Sequence, residues 1–288
     1  MTYHRPATLE EALAIRAGGA VTVLAGGTDI YPAKAARAGW GDPRHGAILD
    51  ICAVPGLRGI AEEADCWRIG ALTTWTDIVR ADLPALFDGL KLAAREVGGV
   101  QIQNRGTIAG NICTASPAGD GAPNLLALDA RVELASLARR RTIAMADFID
   151  GYRHTACGAD EIVTAVTVPK RGAGARSHFL KLGARRYLVI SIAMVAGVID
   201  LDAGGCITWA GLAIGACSAT PQRLAGLEAA LVGRPAATAA DLVSAEHVAH
   251  LAPIDDIRGS ALYRHEAALV LTRDLLHALA SPERRRAA

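Results

Sequence analysis

The 288-residue sequence predicts an α+β protein built in two parts. Before residue 171, short strands rich in β-branched residues alternate with helices, an order typical of packed layers of strands and helices. Residues 171–175, Arg-Gly-Ala-Gly-Ala, are rich in glycine and indicate a linker. A predicted meander of three strands follows the linker, and three helices end the chain.

Composition excludes several classes of protein. Hydrophobic residues make up 51% of the chain and charged residues 20%, a balance that excludes a disordered chain. The net charge is +1, so no bulk charge attracts nucleic acid or an anionic membrane. The longest apolar run, residues 187–199, is shorter than the ~20 residues of a membrane-spanning helix. Residues 1–16 lack the apolar core of a signal peptide.

Cysteine and histidine spacing gives no sign of a metal centre. The six cysteines lie far apart and never form a Cys-x-x-Cys pair, which argues against a zinc ribbon or an iron–sulfur cluster in this chain. His247 and His250 are three residues apart but have no third ligand near them. We therefore expect no metal site, and reduced thiols in a cytoplasmic protein.

The first residues predict a small α/β unit. Thr8 and Glu11 fit a capping box at the start of a helix, and Gly18 ends it. The predicted elements of this unit are a helix from residue 9 to 16, a strand over 21–24, a helix over 30–37 and a strand over 47–51.

The middle of the chain predicts strand pairs and short helices around one irregular stretch. Glycines and prolines interrupt every periodic pattern between residues 101 and 124. The predicted elements are strands at 57–60 and 66–69, helices at 74–80 and 83–97, a helical turn at 125–128, a hairpin of 131–136 with 141–144, and a strand at 161–168.

Beyond the linker, three apolar strands separated by turns predict an antiparallel sheet, and three helices follow them. The predicted strands are 178–182, 190–201 and 206–214, and the predicted helices are 222–231, 238–250 and 260–279.

Residues 25–29, Ala-Gly-Gly-Thr-Asp, form the first candidate binding loop, directly after a strand. Because glycine has no Cβ, its backbone amide can approach a phosphate closely, and Thr28 adds a hydroxyl. The pattern matches neither a dinucleotide fingerprint nor a phosphate-binding P-loop. A plain tight turn between strand and helix is the alternative interpretation.

The second candidate loop is residues 107–111, Thr-Ile-Ala-Gly-Asn. The chain has only three asparagines and three glutamines, and five of these six amides lie between residues 101 and 124. Amides offer donors and acceptors without charge, which suits a ribityl chain, a ribose or a flavin edge. A network that merely stabilises an irregular loop is the alternative. The five amides are Gln101, Gln103, Asn104, Asn111 and Asn124.

Two charged residues outside these loops are further candidates. Asp120 follows a Ser-Pro-Ala-Gly turn and could accept from a ligand hydroxyl or cap a helix. Lys181 is one of only four lysines among thirty basic residues, and it lies on a predicted strand as a candidate positive charge near a ligand. No cysteine or serine has the sequence context of an activated nucleophile.

These residues resemble, in the same order along the chain, the FAD-binding medium subunit of the molybdenum hydroxylases. That family includes carbon monoxide dehydrogenase, 4-hydroxybenzoyl-CoA reductase, nicotinate dehydrogenase and the flavin domain of xanthine dehydrogenase. The resemblance extends over about residues 1 to 280. Its motifs are residues 25–29, Gly-Ala-Leu-Thr-Thr at 70–74, residues 101–111, Thr-Ala-Ser-Pro at 114–117, Phe-Leu-Lys-Leu-Gly-Ala-Arg at 179–185, and Tyr-Arg-His at 263–265.

The resemblance implies a fold and its boundaries. An FAD-binding domain of the type shared with p-cresol methylhydroxylase and MurB reductases is implied over residues 1–172, with subdomains at about 1–54 and 55–172 that hold the flavin between them. A smaller α+β domain, like the C-terminal domain of the carbon monoxide dehydrogenase flavoprotein, is implied over 176–282.

The resemblance also implies which residues contact FAD. The pyrophosphate loops would be 23–30 and 107–111, and Lys181 and Asp29 are the candidates for influencing the redox chemistry. The implied FAD-binding residues are Val23, Leu24, Ala25, Gly26, Gly27, Thr28, Asp29, Ile30, Val97, Thr107, Ala109, Gly110, Asn111, Asp120, Val163 and Lys181.

Ala109 departs from the family, which usually has glycine at this position. If its φ is positive, the methyl group is strained and FAD affinity falls; if the backbone is not left-handed, the substitution is tolerated. The chain also lacks the inserted four-cysteine cluster of 4-hydroxybenzoyl-CoA reductases, so FAD is expected to be its only redox centre.

By the resemblance, the chain passes electrons through FAD to an external acceptor. The electrons would come from a small subunit with two [2Fe-2S] clusters and, before it, a large molybdopterin subunit, in a dimer of heterotrimers. Two alternatives stay open: a flavin-free scaffold subunit, which Ala109 favours, and a stand-alone MurB-like flavin reductase, for which the C-terminal half offers no clear proton donor.

Overall fold

The computed structural model describes residues 2–33 and 46–281, in which strands and helices alternate as the sequence predicts. The first sheet is small and parallel, in the order β1-β3-β2. Its strands are Tyr3–His4 (β1), Val21–Leu24 (β2) and Ala47–Asp50 (β3). Helix α1, Leu9–Ala17, connects β1 to β2.

Helix α1 has the predicted Thr8 cap, but Glu11 does not complete the capping box, because its carboxylate binds the amide before Thr8. The hydroxyl of Thr8 accepts from the amide of Glu11 at 3.2 Å, and the Glu11 carboxylate accepts from the amide of Ala7 at 2.9 Å. The helix predicted over 30–37 begins at residue 30, and the part of it beyond residue 33 lies outside the described residues.

The second sheet is antiparallel and holds five strands in the order β4-β5-β10-β6-β7. Its central strand is buried along nearly its whole length, which explains its continuous apolar sequence. The strands are Ile60–Glu62 (β4), Cys66–Gly70 (β5), Arg131–Ala135 (β6), Arg140–Ala144 (β7) and Ile162–Pro169 (β10). A separate two-stranded pair is formed by Ile149–Gly151 (β8) and His154–Thr155 (β9).

Short helices pack against this second sheet and bury the largest side chains of the core, Trp75, Phe87 and Phe148. The helices are Trp75–Arg80 (α2), Asp88–Glu96 (α3), Val100–Gln103 (α4), Ile108–Thr114 (α5), Gly121–Ala127 (α6) and Met145–Phe148 (α7).

Prolines account for two differences from the predicted helix bounds. The helix predicted from residue 83 begins only at Asp88, after a 3₁₀ turn at Ala85–Phe87, because Pro84 keeps the preceding residue out of helical conformation. Helix α6 begins four residues earlier than its predicted start at 125. Its Pro123 is tolerated there because a first-turn amide has no intrahelical partner to lose.

The predicted C-terminal meander of three strands is present, and a short fourth strand extends it. The sheet has the order β11-β12-β13-β14. Its strands are Arg176–Leu182 (β11), Ala193–Leu201 (β12), Ile207–Gly215 (β13) and Gln222–Arg223 (β14). The helix predicted from residue 222 therefore begins later, at Ala225–Leu231 (α8), and the last helix is Ala261–Ala280 (α9).

The single helix predicted over 238–250 is wrong. The segment forms two 3₁₀ helices, Ala236–Leu242 and Ala245–Val248, separated by extended backbone at Val243 and Ser244. The His247 ring nitrogen Nδ1 accepts from the amide of Ser244 at 3.1 Å. This local side-chain bond starts a new turn at the point where a continuous helix would need Ser244 to be helical.

Strand β12 joins the two parts of the molecule because its two faces bury into different cores. Met194, Ala196 and Val198 pack with the helices of the second sheet, whereas Val195 and Ile199 pack with the C-terminal helices. The alternation follows from the two-residue period of a strand. The C-terminal sheet is therefore covered on both faces.

Glu161 fixes the edge of the second sheet to its central strand. Its side chain is 2% exposed and accepts two hydrogen bonds of 2.6 Å from Arg141 on β7, as well as one from the amide of Gly158. These bonds favour the charged carboxylate. They lower the pKa of Glu161 to about 2, and the largest contribution comes from the Arg141 guanidinium.

We expect the free energy of unfolding to depend less on pH in acid in Glu161→Gln than in the parent. Because the folded-state pKa lies below the unfolded value, the carboxylate stabilises the fold above pH ~4.5, and this contribution disappears as the pH falls towards 2. The free energy of unfolding in urea should lose about 2 kcal/mol less between about pH 6 and pH 3 in the variant than in the parent. Asp160→Asn, which changes an exposed neighbour, is the control; equal pH slopes for parent and Glu161→Gln would contradict the assignment.

Candidate functional site

A cleft of about 540 Å³ lies where the first sheet meets the helices of the second. The residues that follow β2 form one wall, and the start of α5 with the segment after it forms the other. The cleft brings together eleven of the residues that the sequence indicates as cofactor-binding. They are Val23, Ala25, Gly26, Gly27, Thr28, Asp29, Ile30, Val97, Thr107, Gly110 and Asn111.

The loop after β2 can be built only with glycine at its two central positions. A Cβ on Gly26 would lie 1.9 Å from the carbonyl oxygen of Arg105, so the loop packs directly on that backbone. Gly27 has φ +75°, and a Cβ there would lie 2.7 Å from the ring of Tyr31. Among the described residues, none accepts a hydrogen bond from the amides of Gly26, Gly27 or Thr28. These amides are therefore available to an anion in the cleft.

The amides at the start of α5, in contrast, are already used within the protein. Ile108 and Ala109 donate to the carbonyls of Thr73 and Ala71, at 3.0 and 3.4 Å. Gly110 donates to the Thr107 hydroxyl, at 3.1 Å. The resemblance assigns pyrophosphate binding to both loops, but in this structure only the first loop offers several free donors.

Ala109 is not strained. It lies in α5, is absent from the non-glycine residues with positive φ, and is buried in the core cluster. Of the two alternatives for this position, the structure therefore supports a tolerated substitution. Its side chain does not line the cleft.

Asn111 presents an unsatisfied acceptor at the cleft. Its side-chain oxygen Oδ1 is buried and has no hydrogen-bond partner among the described residues. Gly119 and Gly121 lie close to this oxygen, because a Cβ on either residue would be 3.4 or 2.7 Å from it. A buried acceptor without a donor costs about 1–3 kcal/mol.

The other side-chain amides of this stretch mainly stabilise local structure. Gln103 donates to the carbonyl of Arg95, Asn104 accepts from the Thr76 hydroxyl, and Asn124 donates to the carbonyl of Asp120. For these three, the alternative of a network that holds an irregular segment is the better interpretation. Asn111 alone among the five amide side chains lines the cleft.

Lys181 and Asp120 form a buried ion pair next to the cleft. The Lys181 ammonium lies 2.6 Å from Asp120 Oδ2, and the Ser191 hydroxyl donates to Asp120 Oδ1 at 2.7 Å. Burial raises the pKa of Asp120, and the bonds from Lys181 and Ser191 oppose this effect. Neither charged group lines the 540 Å³ cleft. Lys181 also approaches the carbonyl of Glu96, at 3.5 Å, one residue from the cleft residue Val97.

The remaining predicted residues lie at the rim or behind the wall. Asp29 is at the rim and faces Arg153, with 3.8 Å between the carboxylate and the guanidinium; both side chains are more than half exposed. Leu24 is buried in β2, and Val163 is buried in β10 beside a bulge. The structure does not bring Leu24 or Val163 to the cleft surface.

Several cleft residues were missed by the sequence analysis. Trp75, one of four tryptophans, is 1% exposed and packs against Gly121. Its rarity in a chain with 4% aromatic residues was a usable signal. Arg153 gave no signal, because arginine is abundant in this sequence. The other cleft residues without a prediction are Thr22, Gly106, Cys113, Thr114, Ser116, Ala118 and Gly119.

Other features do not compete with this cleft. An opening of about 650 Å³ on the second sheet contains Arg68 and Arg141, but both guanidiniums are paired, with Glu133 and Glu161. Residues 2–33 and 46–281 contain no group of three or more histidine, cysteine or acidic side chains placed to hold a metal ion. No helix in the described part of the chain has the length and apolarity needed to cross a membrane.

Family models match both parts of the chain. The FAD binding domain in molybdopterin dehydrogenase matches residues 1–171, and the CO dehydrogenase flavoprotein C-terminal domain matches residues 178–279.

Known proteins resemble the chain over most of its length. It is 37% identical to the nicotinate dehydrogenase FAD-subunit of Eubacterium barkeri over 74% of this chain and 72% of that protein. It is 30% identical to the carbon monoxide dehydrogenase medium chain of Hydrogenophaga pseudoflava over 96% of each. The solved carbon monoxide dehydrogenase of Oligotropha carboxidovorans superposes with a TM-score of 0.90 and 27% identity, over 97% of each chain. The chain therefore belongs to the FAD-binding medium subunits of the molybdenum hydroxylases, and it is an oxidoreductase subunit with FAD as its cofactor.

Proposed function

We propose that this chain is the electron-output subunit of a heteromeric molybdenum hydroxylase. A small subunit with two [2Fe-2S] clusters and a large molybdopterin subunit would be its partners, in a dimer of heterotrimers. Support comes from relatives named as FAD subunits or medium chains of dehydrogenases. When bound, FAD supplies the redox chemistry that receives electrons from the clusters and delivers them to an external acceptor.

The glycine loop is the observation that carries this proposal. Three consecutive amides, at Gly26, Gly27 and Thr28, have no acceptor among the described residues and line the cleft. A run of three amides without acceptors would suit the pyrophosphate of FAD. Asn111 would add a side-chain amide at the same cleft.

Lys181 and Asp120 would influence the cofactor as a pair of opposite charges. The Lys181 ammonium approaches the carbonyl of Glu96, the residue that precedes the cleft residue Val97. The side chains of Lys181 and Asp120 are both shielded from water. In such surroundings a charge acts over longer distances than in water. A positive charge at Lys181 would favour the reduced cofactor, and Asp120 would moderate this effect.

The alternatives have less support. The scaffold interpretation depended on Ala109, which the structure shows to be helical and unstrained. The MurB-like reductase would need a proton donor from the C-terminal part. The ionisable side chains that line the cleft, Asp29, Cys113 and Arg153, all precede the linker.

We expect Gly26→Ala to weaken FAD binding by at least about tenfold, because the added methyl would displace the loop from Arg105. The purified parent should be yellow and should release FAD on denaturation. Affinity would be measured by fluorescence titration of FAD into the chain after its bound FAD has been removed (the stripped chain). Thermal unfolding would verify the fold of each variant. Gly18→Ala, where a Cβ meets only ordinary contacts, is the control. Equal affinity in Gly26→Ala and Gly18→Ala would contradict the placement of the pyrophosphate.

We expect electrons to leave the complex only through this chain. The complex copurified with its partners would be reduced anaerobically with dithionite and then mixed with NAD⁺, a quinone or O₂. Reoxidation of the iron–sulfur clusters should be fast with at least one acceptor in the parent and much slower in a complex whose chain carries Gly26→Ala and has lost FAD. Unchanged reoxidation without FAD would contradict the electron-output role and leave the family assignment intact.

We expect Lys181→Met to lower the midpoint potential of the bound flavin, because a positive charge is lost and Asp120 remains. Lys181→Arg keeps the charge and should shift the potential less. Both values would be measured by spectroelectrochemical titration of the FAD-loaded chain. A potential in Lys181→Met equal to that of the parent would show that the lysine does not act on the cofactor.

A further inference from the structure

The carboxylate of Asp256 accepts hydrogen bonds from two arginines, Arg258 and Arg264. Arg258 donates to Asp256 Oδ2 through Nε at 3.0 Å and Nη2 at 2.6 Å, and its backbone amide donates to Oδ1 at 2.8 Å. Arg264 donates to Oδ1 through Nη2 at 2.6 Å, and its side chain is 1% exposed. The guanidiniums, Arg258 above all, hold the pKa of Asp256 well below its usual range. We call Asp256, Arg258 and Arg264 the arginine clamp.

The arginine clamp holds two successive carbonyl groups. Arg258 Nη1 donates to the carbonyl of Ser191 at 3.2 Å, and Arg264 Nη1 donates to the carbonyl of Ile192 at 2.7 Å. The same Arg264 nitrogen donates to the carbonyl of Ala216 at 3.2 Å, at the end of β13. The backbone at 191–192 is therefore fixed to the first turn of α9 and to the end of β13.

Ser191 connects this backbone to the ion pair beside the cleft. Its hydroxyl donates to Asp120 Oδ1 at 2.7 Å, while the other carboxylate oxygen of Asp120 binds Lys181 at 2.6 Å. Ser191 is fully buried, although most of the residues from 184 to 190 are exposed. The segment before Ser191 therefore provides little packing. The position of Ser191 depends instead on the contacts of the carbonyls at residues 191 and 192.

A buried ion pair is sensitive to such positioning. Removing two charges from water costs several kcal/mol for each ion, and the attraction offsets this cost only when geometry and hydrogen bonding are complete. Displacement of Ser191 would remove a donor from Asp120 and loosen the carboxylate that orients Lys181. The distance from Asp256 to Lys181 is thus spanned by hydrogen bonds without a gap.

We propose that Asp256 is a positioning residue, which acts through Arg258, Arg264 and Ser191 to fix the Asp120–Lys181 pair beside the cofactor cleft. Its relevance to electron transfer rests on the proposed function, but the positioning itself is a property of the protein without FAD.

The small number of lysines makes the positioning measurable. The chain has four, at positions 34, 91, 170 and 181, so limited acetylation followed by peptide mass spectrometry can report each one separately. In the stripped parent, Lys181 should react more slowly than Lys91 and Lys170, because its side chain is 7% exposed and paired. Asp256→Asn should raise the labelling rate of Lys181 severalfold without changing the rates of Lys91 and Lys170.

Three further variants sharpen the test. Ser191→Ala cuts the final link and should raise Lys181 labelling as Asp256→Asn does, whereas Asp256→Glu keeps the charge and should restore part of the protection. Asp202→Asn is the matched control, because the Asp202 carboxylate lies in the same part of the chain and accepts from the backbone amides of Gly204 and Cys206 in an exposed turn. Unchanged Lys181 labelling in Asp256→Asn, or an equal rise at Lys91, Lys170 and Lys181, would overturn the proposal.

The flavin potential separates this inference from the proposed function. If Asp256→Asn exposes Lys181 and also shifts the potential of the FAD-loaded chain, the clamp acts on the cofactor through the lysine. If labelling rises but the potential does not move, the positioning role stands and the assigned influence of Lys181 on FAD fails.

Discussion

The buried ion pair between Lys181 and Asp120 constrains how the two parts of this chain fit together. Lys181 belongs to β11 of the C-terminal sheet, and Asp120 immediately precedes α6 in the first part. Their side chains are 7% and 6% exposed, so separating the two parts would leave one buried charge without its partner or expose both. The apolar contacts of β12 bring the parts together, and the ion pair specifies one arrangement among the many that apolar packing alone would allow.

Under the proposed function, cofactor binding and charge tuning are carried out by different elements. The cleft is formed by backbone groups and small residues, and its ionisable side chains, Asp29, Cys113 and Arg153, belong to the first part. The buried Lys181–Asp120 pair lies behind the wall and is held largely by the C-terminal part. Under the proposed function, a substitution in the second part would therefore alter the electrostatics of the site without removing a group that contacts the cofactor.

The sequence predicts most of the fold because its signals are local. The Thr8 cap, the apolar strand that becomes β12 and the glycine loop at 26–27 each depend on neighbouring residues, and the structure contains all three. The continuous helix over 238–250 was wrong because a Ser244–His247 bond competes with helix formation, and periodicity does not reveal such a bond. Ser191 and Asp256 carried no sequence signal, because their partners are up to about seventy residues distant along the chain.

Ala109 shows that the structural environment of a motif position decides whether glycine is required there. A family pattern with glycine at this site suggests close approach of the backbone to the cofactor, and alanine then looks like a defect. In the structure the amide of Ala109 donates to Ala71, and its methyl group is buried with the core cluster. The methyl thus adds apolar packing at a place where the backbone has no free donor to offer. Gly26 is the opposite case, because its missing side chain permits the close contact with the backbone of Arg105. Glycine is therefore required in the loop after β2, whereas position 109 at the start of α5 accepts alanine.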